Sequence, residues 1–293
     1  MIRCDDPFVG FFAENDSSLQ TKHYGTDVLE AFVDTVWAYY KHHKRCFAWR
    51  ETWDPYKVVV SEIMLQQTQT QRVAEKYEQF IKRFPTFCAL ASAKQQDVLV
   101  EWVGLGYNRR ALALQWIAQT IVRDYSGVLP DDPKILETFK GLGPATAASI
   151  TAFAFNKPTV FIETNIRSVF LHVFFHEQFD ISDKQLLPLV AQTVDQNNAR
   201  EWYYALMDCG VLLKKLYPNP SHKSKHHTRQ STFVGSNRQV RGAIVRYITQ
   251  HGAVTREVVA QFFPAKKAHL STIIEGLIKD GFIVEEGELL KSQ

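Results

Sequence analysis

The chain has 293 residues, 45% of them hydrophobic and 13% aromatic, which is enough apolar material for one large domain or two ordinary ones. The opening run, "MIRCDDPFVGFFAENDSS", has acids directly after its only Arg, and no apolar stretch is long enough for a signal peptide or a membrane span, so cytoplasmic residence with no membrane partner is expected. Cys4, Cys46, Cys88 and Cys209 are widely scattered, which excludes a disulfide framework and a Cys-rich metal knuckle.

Residues 1–25 read as an N-terminal extension. Thr26 is a candidate N-cap for "TDVLEAFVDTVWAYYKHHK", whose apolar residues recur at helical spacing over 26–44. Further helices are expected at about 56–68, 70–84, 94–103, 108–125, 132–139, 145–155, 164–175, 183–196 and 199–213. Turn signals such as Phe84-Pro85-Thr86, Gly104-Leu105-Gly106 and Leu129-Pro130 separate them, and nothing before residue 280 alternates like a strand, so the predicted class is mostly α.

The net charge of +3 is unevenly spread: residues 209–256 hold nine Lys or Arg and no Asp or Glu. A solvated basic linker explains a short charge run, but an acid-free interval of this length favours a polyanion. Within it, residues 214–236, "KKLYPNPSHKSKHHTRQSTFVGS", lose helical periodicity and read as a linker. Residues 237–293 follow with helices at about 238–251, 255–263 and 265–280, then "FIVEEGELLK", two short strands about a Glu-Gly turn. Three helices and a hairpin make a small winged helix-turn-helix (α+β) domain. Lys266 and Lys267 start its candidate groove-reading helix, although such modules also dock proteins.

Two stretches suit chemistry on DNA. In "FKGLGPATAASI", Gly141, Leu142 and Gly143 link two helices ahead of Pro144 and Ala145, leaving the amides that open the second helix available to a phosphate, although any tight helix corner also uses such a turn. In "SEIMLQQTQT", Glu62 stands among Val58, Val59, Val60, Ile63, Met64 and Leu65, where desolvation is expected to raise its pKa toward that of a neutral-pH proton donor. Gln66 and Gln67 beside it offer amides to base edges or a DNA gap; the plainer alternative is a surface Glu on an amphipathic helix. A second acid, Glu163 in "TVFIETNIRSVF", precedes a helical segment and reads equally as an N-cap or as a carboxylate held for chemistry.

Taken in order, "FAWRETWDPYKVVVSEIMLQQTQT", "WVGLGYNRRALAL", "FKGLGPATAASI", "ETNIRSV" and "ALMDCG" resemble the helix-hairpin-helix (HhH-GPD) DNA glycosylase superfamily over residues 26–213, most closely its adenine glycosylase (MutY) type, with endonuclease III as sister group. The resemblance implies a helix-hairpin-helix glycosylase fold and double-stranded DNA bearing a mispair or base lesion as partner, bound by a monomer. It implies that Glu62 is the general acid and that Glu163 takes the place of the family's catalytic Asp, with Asn165 near it. It further implies that Gln67 and Tyr107 fill the vacated base stack, that Trp49 and Arg50 wall the base pocket, and that residues 141–143 grip phosphate. Such enzymes flip the target nucleotide out of the duplex.

Three departures qualify that picture. The lyase Lys of the sister enzymes is Ala145 here, so base excision without strong strand cleavage is expected. Relatives close the domain with four cysteines on an iron-sulfur cluster, whereas nothing after Cys209 is a cysteine, so no cluster, cofactor or metal is expected; His222, His226 and His227 lack zinc-site spacing. Lys223, Lys225 and Arg229 are then candidates for the cluster loop's DNA contacts. The residues after the linker read as a winged helix, so the separate domain that inspects 8-oxoguanine in adenine glycosylases is not expected. Adenine opposite guanine or 8-oxoguanine is the expected substrate, with thymine or uracil opposite guanine, or another damaged base, as the alternative. A non-catalytic DNA-binding protein is the alternative of another class.

Overall fold

The computed structural model describes residues 3–21, 24–227, 232, 235–262 and 267–292. The expected class holds: the described residues are mostly helical, with one small sheet. The helices are α1 (Val9–Thr21), α2 (Thr26–His43), α3 (Pro55–Leu65), α4 (Thr70–Arg83), α5 (Phe87–Ala91), α6 (Gln95–Trp102), α7 (Arg109–Asp124), α8 (Pro133–Leu136), α9 (Pro144–Phe155), α10 (Thr164–Val173), α11 (Asp183–Thr193), α12 (Ala199–Leu216), α13 (Asn237–His251), α14 (Arg256–Phe262) and α15 (Lys267–Lys279). The strands are β1 (Val254–Thr255), β2 (Ile283–Glu286) and β3 (Leu289–Ser292), and short 3-10 turns span Ala48–Arg50 and Pro220–Lys223. The chain divides into two units: residues 1–58, 131–138 and 142–229 form one, and residues 59–130, 139–141 and 230–293 the other.

The first unit is built on α10 and α12. Their close approach requires Gly210, because a Cβ there would lie 2.7 Å from the carbonyl carbon of Asn165 and 2.8 Å from its Cβ. Val28, Phe32 and Val36 give α2 a buried face at helical spacing, and Phe32 meets Phe170, Phe174 and Trp202 with ring centroids 5.1–6.2 Å apart. Phe8, Phe11 and Phe12 are buried in this core, the last two on α1, which the polar composition of this stretch concealed. Ahead of α1, the buried Asp6 accepts hydrogen bonds from Tyr217 Oη (2.8 Å) and the Phe8 amide (2.9 Å) and lies 2.8 Å from His172 Nε2 on α10. Residues 214–227, expected as linker, are packed on this unit. α12 continues to Leu216, and the buried Ser221 pairs with Ser168 (2.7 Å) and donates to the Thr164 carbonyl (3.2 Å). The composition misleads there because serine hydroxyls do the packing.

In the second unit Phe80 of α4 packs on Trp102 of α6, and Gln115 of α7 donates to the carbonyls of Leu90 in α5 (3.4 Å) and Ala93 just past it (2.7 Å). α13–α15 and an antiparallel sheet of order β1-β3-β2 form the winged-helix arrangement. Its register pairs Val254 with Leu290 and Ile283 with Ser292. β1 has only two residues, too few for alternation to show. This module is attached within its unit: Gln95 donates to the Gly281 carbonyl (2.6 Å), and Asp280 accepts from Arg109 (2.7 Å) and from Arg241.

Candidate active site

In the second unit, Glu62 is half-buried on α3 beside the fully buried Ile63 and Met64. Past the end of α3 the chain turns through Gln67, exposed at φ +52°, and the loop before α7 contains Gly104 (φ +103°), Gly106 (φ +71°) and Tyr107 (φ +48°). Positive φ at a Gln and a Tyr is uncommon and persists only where neighbours impose it. Arg110 of α7 is the neighbour common to both loops. Its Nη1 donates to the carbonyls of Ile63 (2.9 Å), Met64 (2.8 Å) and Gln66 (2.5 Å), and its Nη2 to Thr68 Oγ1 (2.9 Å) and the carbonyls of Leu105 (3.1 Å) and Gly106 (3.0 Å). Burial pushes its guanidinium down to about 10, so it stays charged at neutral pH and caps the negative end of α3. Arg110 carries no sequence signature beyond standing at the start of a helix after a glycine loop.

Two further groups support these loops. Gln66 Nε2 lies 3.4 Å from the Gly141 carbonyl, and Gly141 (φ +93°) admits no side chain, because a Cβ there would sit 2.7 Å from the Cβ of Ala113. Arg238, at the start of α13, hydrogen-bonds the Tyr107 hydroxyl and lies 5.1 Å over its ring.

In the first unit, Glu163 is the N-cap of α10: its Oε1 accepts from the amides of Asn165 (2.7 Å) and Ile166 (2.9 Å). Its Oε2 accepts from Asn165 Nδ2 (3.2 Å), and Asn165 Oδ1 accepts from Lys214 Nζ (2.8 Å). Trp49 is buried and stacks on Phe47 with centroids 4.8 Å apart. Arg50, also buried, forks onto Asp208 with bonds of 2.8 and 2.9 Å, while Arg45 holds the same carboxylate at 2.6 Å. Arg50, expected at the base-pocket wall, is thus engaged in a buried ion pair. At residues 141–143, Leu142 is buried, Gly143 is the N-cap of the 12-residue α9, Pro144 takes its first position, and Ala145 is exposed. An open helix N-terminus of this kind favours an anion.

The family described as "HhH-GPD superfamily base excision DNA repair protein" matches residues 60–191. An adenine DNA glycosylase of Mycobacterium tuberculosis (strain CDC 1551 / Oshkosh) is 30% identical over 271 residues, which span 84% of this chain and 88% of the relative. The chain belongs to the HhH-GPD superfamily of base-excision DNA glycosylases. A thymine/uracil-DNA glycosylase of Methanothermobacter thermautotrophicus is 27% identical over 188 residues, 63% of this chain and 85% of that one. Among solved structures, a thermostable thymine-DNA glycosylase aligns with TM-score 0.58 at 25% identity, over 63% of this chain and 86% of that one. A non-covalent endonuclease III–DNA complex shares the fold, with TM-score 0.54 at 14% identity over 62% of this chain and 84% of that one.

The donors for the cluster that many glycosylases of this superfamily carry do not fit here. Cys4, Cys46 and Cys88 are exposed and far apart in sequence, and Cys209 is buried, its thiol pushed up first by desolvation and then by the charge of Asp208. Among the described residues no three His, Cys, Asp or Glu side chains group to hold a metal. Of the basic candidates, Lys225 is exposed, whereas Lys223 is half-buried with its ammonium on the His176 carbonyl. Lys267 opens α15, and Arg229 and Lys266 lie outside the described residues.

Proposed function

We propose that this DNA glycosylase excises adenine opposite guanine or 8-oxoguanine by hydrolysis, as a monomer, without a metal or cluster and without a strong lyase step. The observation that carries the proposal is the Glu163 carboxylate, fixed by two backbone amides and one side-chain amide instead of rotating in solvent. A carboxylate so held stabilises the positive charge that builds on the sugar as the C1′–N9 bond breaks, which demands placement more than charge alone. Glu62 gives its proton to the departing base, and its carboxylate then takes a proton from the water whose oxygen bonds C1′. Gln67 and Tyr107, held at positive φ, fill the stack vacated by the flipped nucleotide. Trp49 and Arg50 line the pocket by shape, since the Arg50 fork is engaged by Asp208.

Residues 141–143 and the open start of α9 take a phosphate, and Ala145 offers no amine for a Schiff base. Lys225, with Lys223 and Arg229, supplies the positive field along the backbone, and the winged helix adds Lys266 and Lys267. The adenine assignment draws on the pocket motifs and on the M. tuberculosis relative. The second reading, thymine or uracil opposite guanine, is favoured by the Methanothermobacter relative and the thymine-DNA glycosylase fold match.

The test is a panel of duplexes carrying a single adenine, thymine or uracil opposite guanine, cytosine or 8-oxoguanine, treated with alkali after incubation. Fastest cleavage at adenine opposite guanine or 8-oxoguanine is the expected result. Preference for thymine or uracil opposite guanine selects the second reading, and binding without any product overturns the enzymatic assignment.

A further inference from the structure

Lys214, on the last turn of α12, belongs to the acid-free stretch that the sequence offers as a DNA contact, yet its ammonium points inward. Its Nζ donates to Asn165 Oδ1 at 2.8 Å, and Asn165 Nδ2 donates in turn to Glu163 Oε2 at 3.2 Å. An ammonium has donors only, so it dictates which end of the Asn165 amide faces it. With the amide oxygen toward Lys214, the NH2 group must face Glu163; a flipped amide would set NH2 against NH3⁺ and oxygen against carboxylate. Since Oε1 of Glu163 is already engaged by two backbone amides, the direction of Oε2 depends on this side-chain bond.

The relay has a rigid base. The backbone of Asn165 lies against Gly210, one helical turn before Lys214 on the same face of α12, with no space for a Cβ between them. Desolvation pushes the Lys214 ammonium below the ordinary lysine range, the charge of Glu163 pulls it back up, and Arg167 opposes it, so the group feels the carboxylate it helps to place.

We propose that Lys214 is a positioning residue for glycosidic-bond cleavage, fixing the Asn165 amide and through it the second oxygen, Oε2, of Glu163. The proposal rests on Glu163 as the carboxylate that stabilises the charged sugar. A lysine that merely met a DNA phosphate would change affinity and salt dependence; this one changes the chemical step.

The experiment measures single-turnover excision on the duplex that the panel shows to be cleaved fastest, together with affinity for the abasic product duplex and its salt slope. Lys214→Met is expected to slow excision roughly ten- to hundredfold, leave affinity and slope unchanged, and lose nothing further when added to Asn165→Leu. Lys214→Arg, which keeps a donor at the end of a long side chain, is expected to recover most of the rate. Circular dichroism and melting of each variant verify folding. Wild-type excision by Lys214→Met overturns the proposal, as does an Arg variant as slow as the Met variant, an undiminished loss in the Asn165→Leu background, or a slowing accounted for by weaker DNA affinity. Full activity in Glu163→Gln instead removes the parent reading of the carboxylate, an outcome distinct from full activity in Lys214→Met with Glu163→Gln inactive.

Discussion

Arg110→Met keeps the length of an unbranched stem but deletes the guanidinium donors that reach both the loop after α3 and the loop before α7. The loss includes three carbonyls near the end of α3 and three acceptors at Thr68, Leu105 and Gly106, all at 2.5–3.1 Å. A bond from a charged donor contributes about 1.5–3 kcal/mol, and a buried acceptor left unpaired costs about 1–3 kcal/mol. The loops are only partly buried, so water re-satisfies some acceptors, and removing the guanidinium also relieves the desolvation that pushes it down to about 10. A net loss of about 3–5 kcal/mol remains, close to the upper range for single substitutions. For a chain of this size that corresponds to a fall in melting temperature of about 5–8 °C.

The same substitution releases Gln67 and Tyr107 from positive φ, so excision at 20 °C, below the variant's transition, should fall by roughly tenfold or more. Calorimetry and single-turnover excision are the assays. Arg110→Lys should recover less than half of either loss, because one ammonium cannot reproduce a planar fork reaching two loops. A melting temperature within about 1 °C of the parent, with unchanged excision, would refute the view that this guanidinium shapes both loops.

Glu163→Gln should abolish most base excision in the duplex panel, while Glu163→Asp, one methylene shorter but still able to cap α10, should retain a part; normal excision by the Gln variant reduces Glu163 to a cap. Gly210→Ala should melt at lower temperature by about 2–4 kcal/mol of stability and lose excision together with it, since the added methyl displaces Asn165; a variant as stable as the parent contradicts the packing of α12 on α10. For Asp6, burial raises the carboxyl and the hydrogen bonds from His172, Phe8 and Tyr217 outweigh it, leaving the group below the usual carboxylate range. Its contribution is therefore present above the unfolded pKa of about 3.9 and is lost as pH falls through the lower folded value. Asp6→Asn should thus melt below the parent at pH 7, with the gap closing in the acid; an equal gap at pH 3 and pH 7 contradicts this. Lys225→Glu should weaken duplex binding and flatten its salt dependence more than Lys223→Glu does, because the Lys223 ammonium is engaged by the His176 carbonyl; equal effects would show that exposure does not decide the contact.

Helices were legible wherever an apolar face repeated with period 3.6, as in α2, where Val28, Phe32 and Val36 mark the buried stripe. Elements whose burial comes from a few residues were not. α1 draws on Phe8, Phe11 and Phe12 amid polar neighbours, α5 has five residues, and β1 has two. The packing of residues 214–227 was hidden because Ser221 and Ser224 are buried through hydroxyl bonds, while composition counts serine as solvent-facing. At the site, the acids and the glycine turn stand out locally, Glu62 by its apolar company and Glu163 by its place ahead of a helix. Arg110 and Lys214 do not, because Arg110 meets Ile63, Met64, Gln66 and Thr68 from 42–47 residues away and Lys214 meets Asn165 from 49, and a cation at a helix end gives no sign of which carbonyl or amide will meet it.

The second unit is assembled from residues 59–130 and 230–293, with the bulk of the first unit lying between them in the chain. During synthesis, α4–α7 leave the ribosome well before α13–α15, so the face of α6 and α7 that receives Gly281 and Asp280 waits uncovered while about one hundred intervening residues are made. Loop closure over that separation delays the completion of this unit. Tyr107 acquires its Arg238 partner only at that stage. A nascent or truncated chain that stops before α13 therefore presents Gln95 and Arg109 without their partners, beside a gap loop held by Arg110 alone of the two arginines.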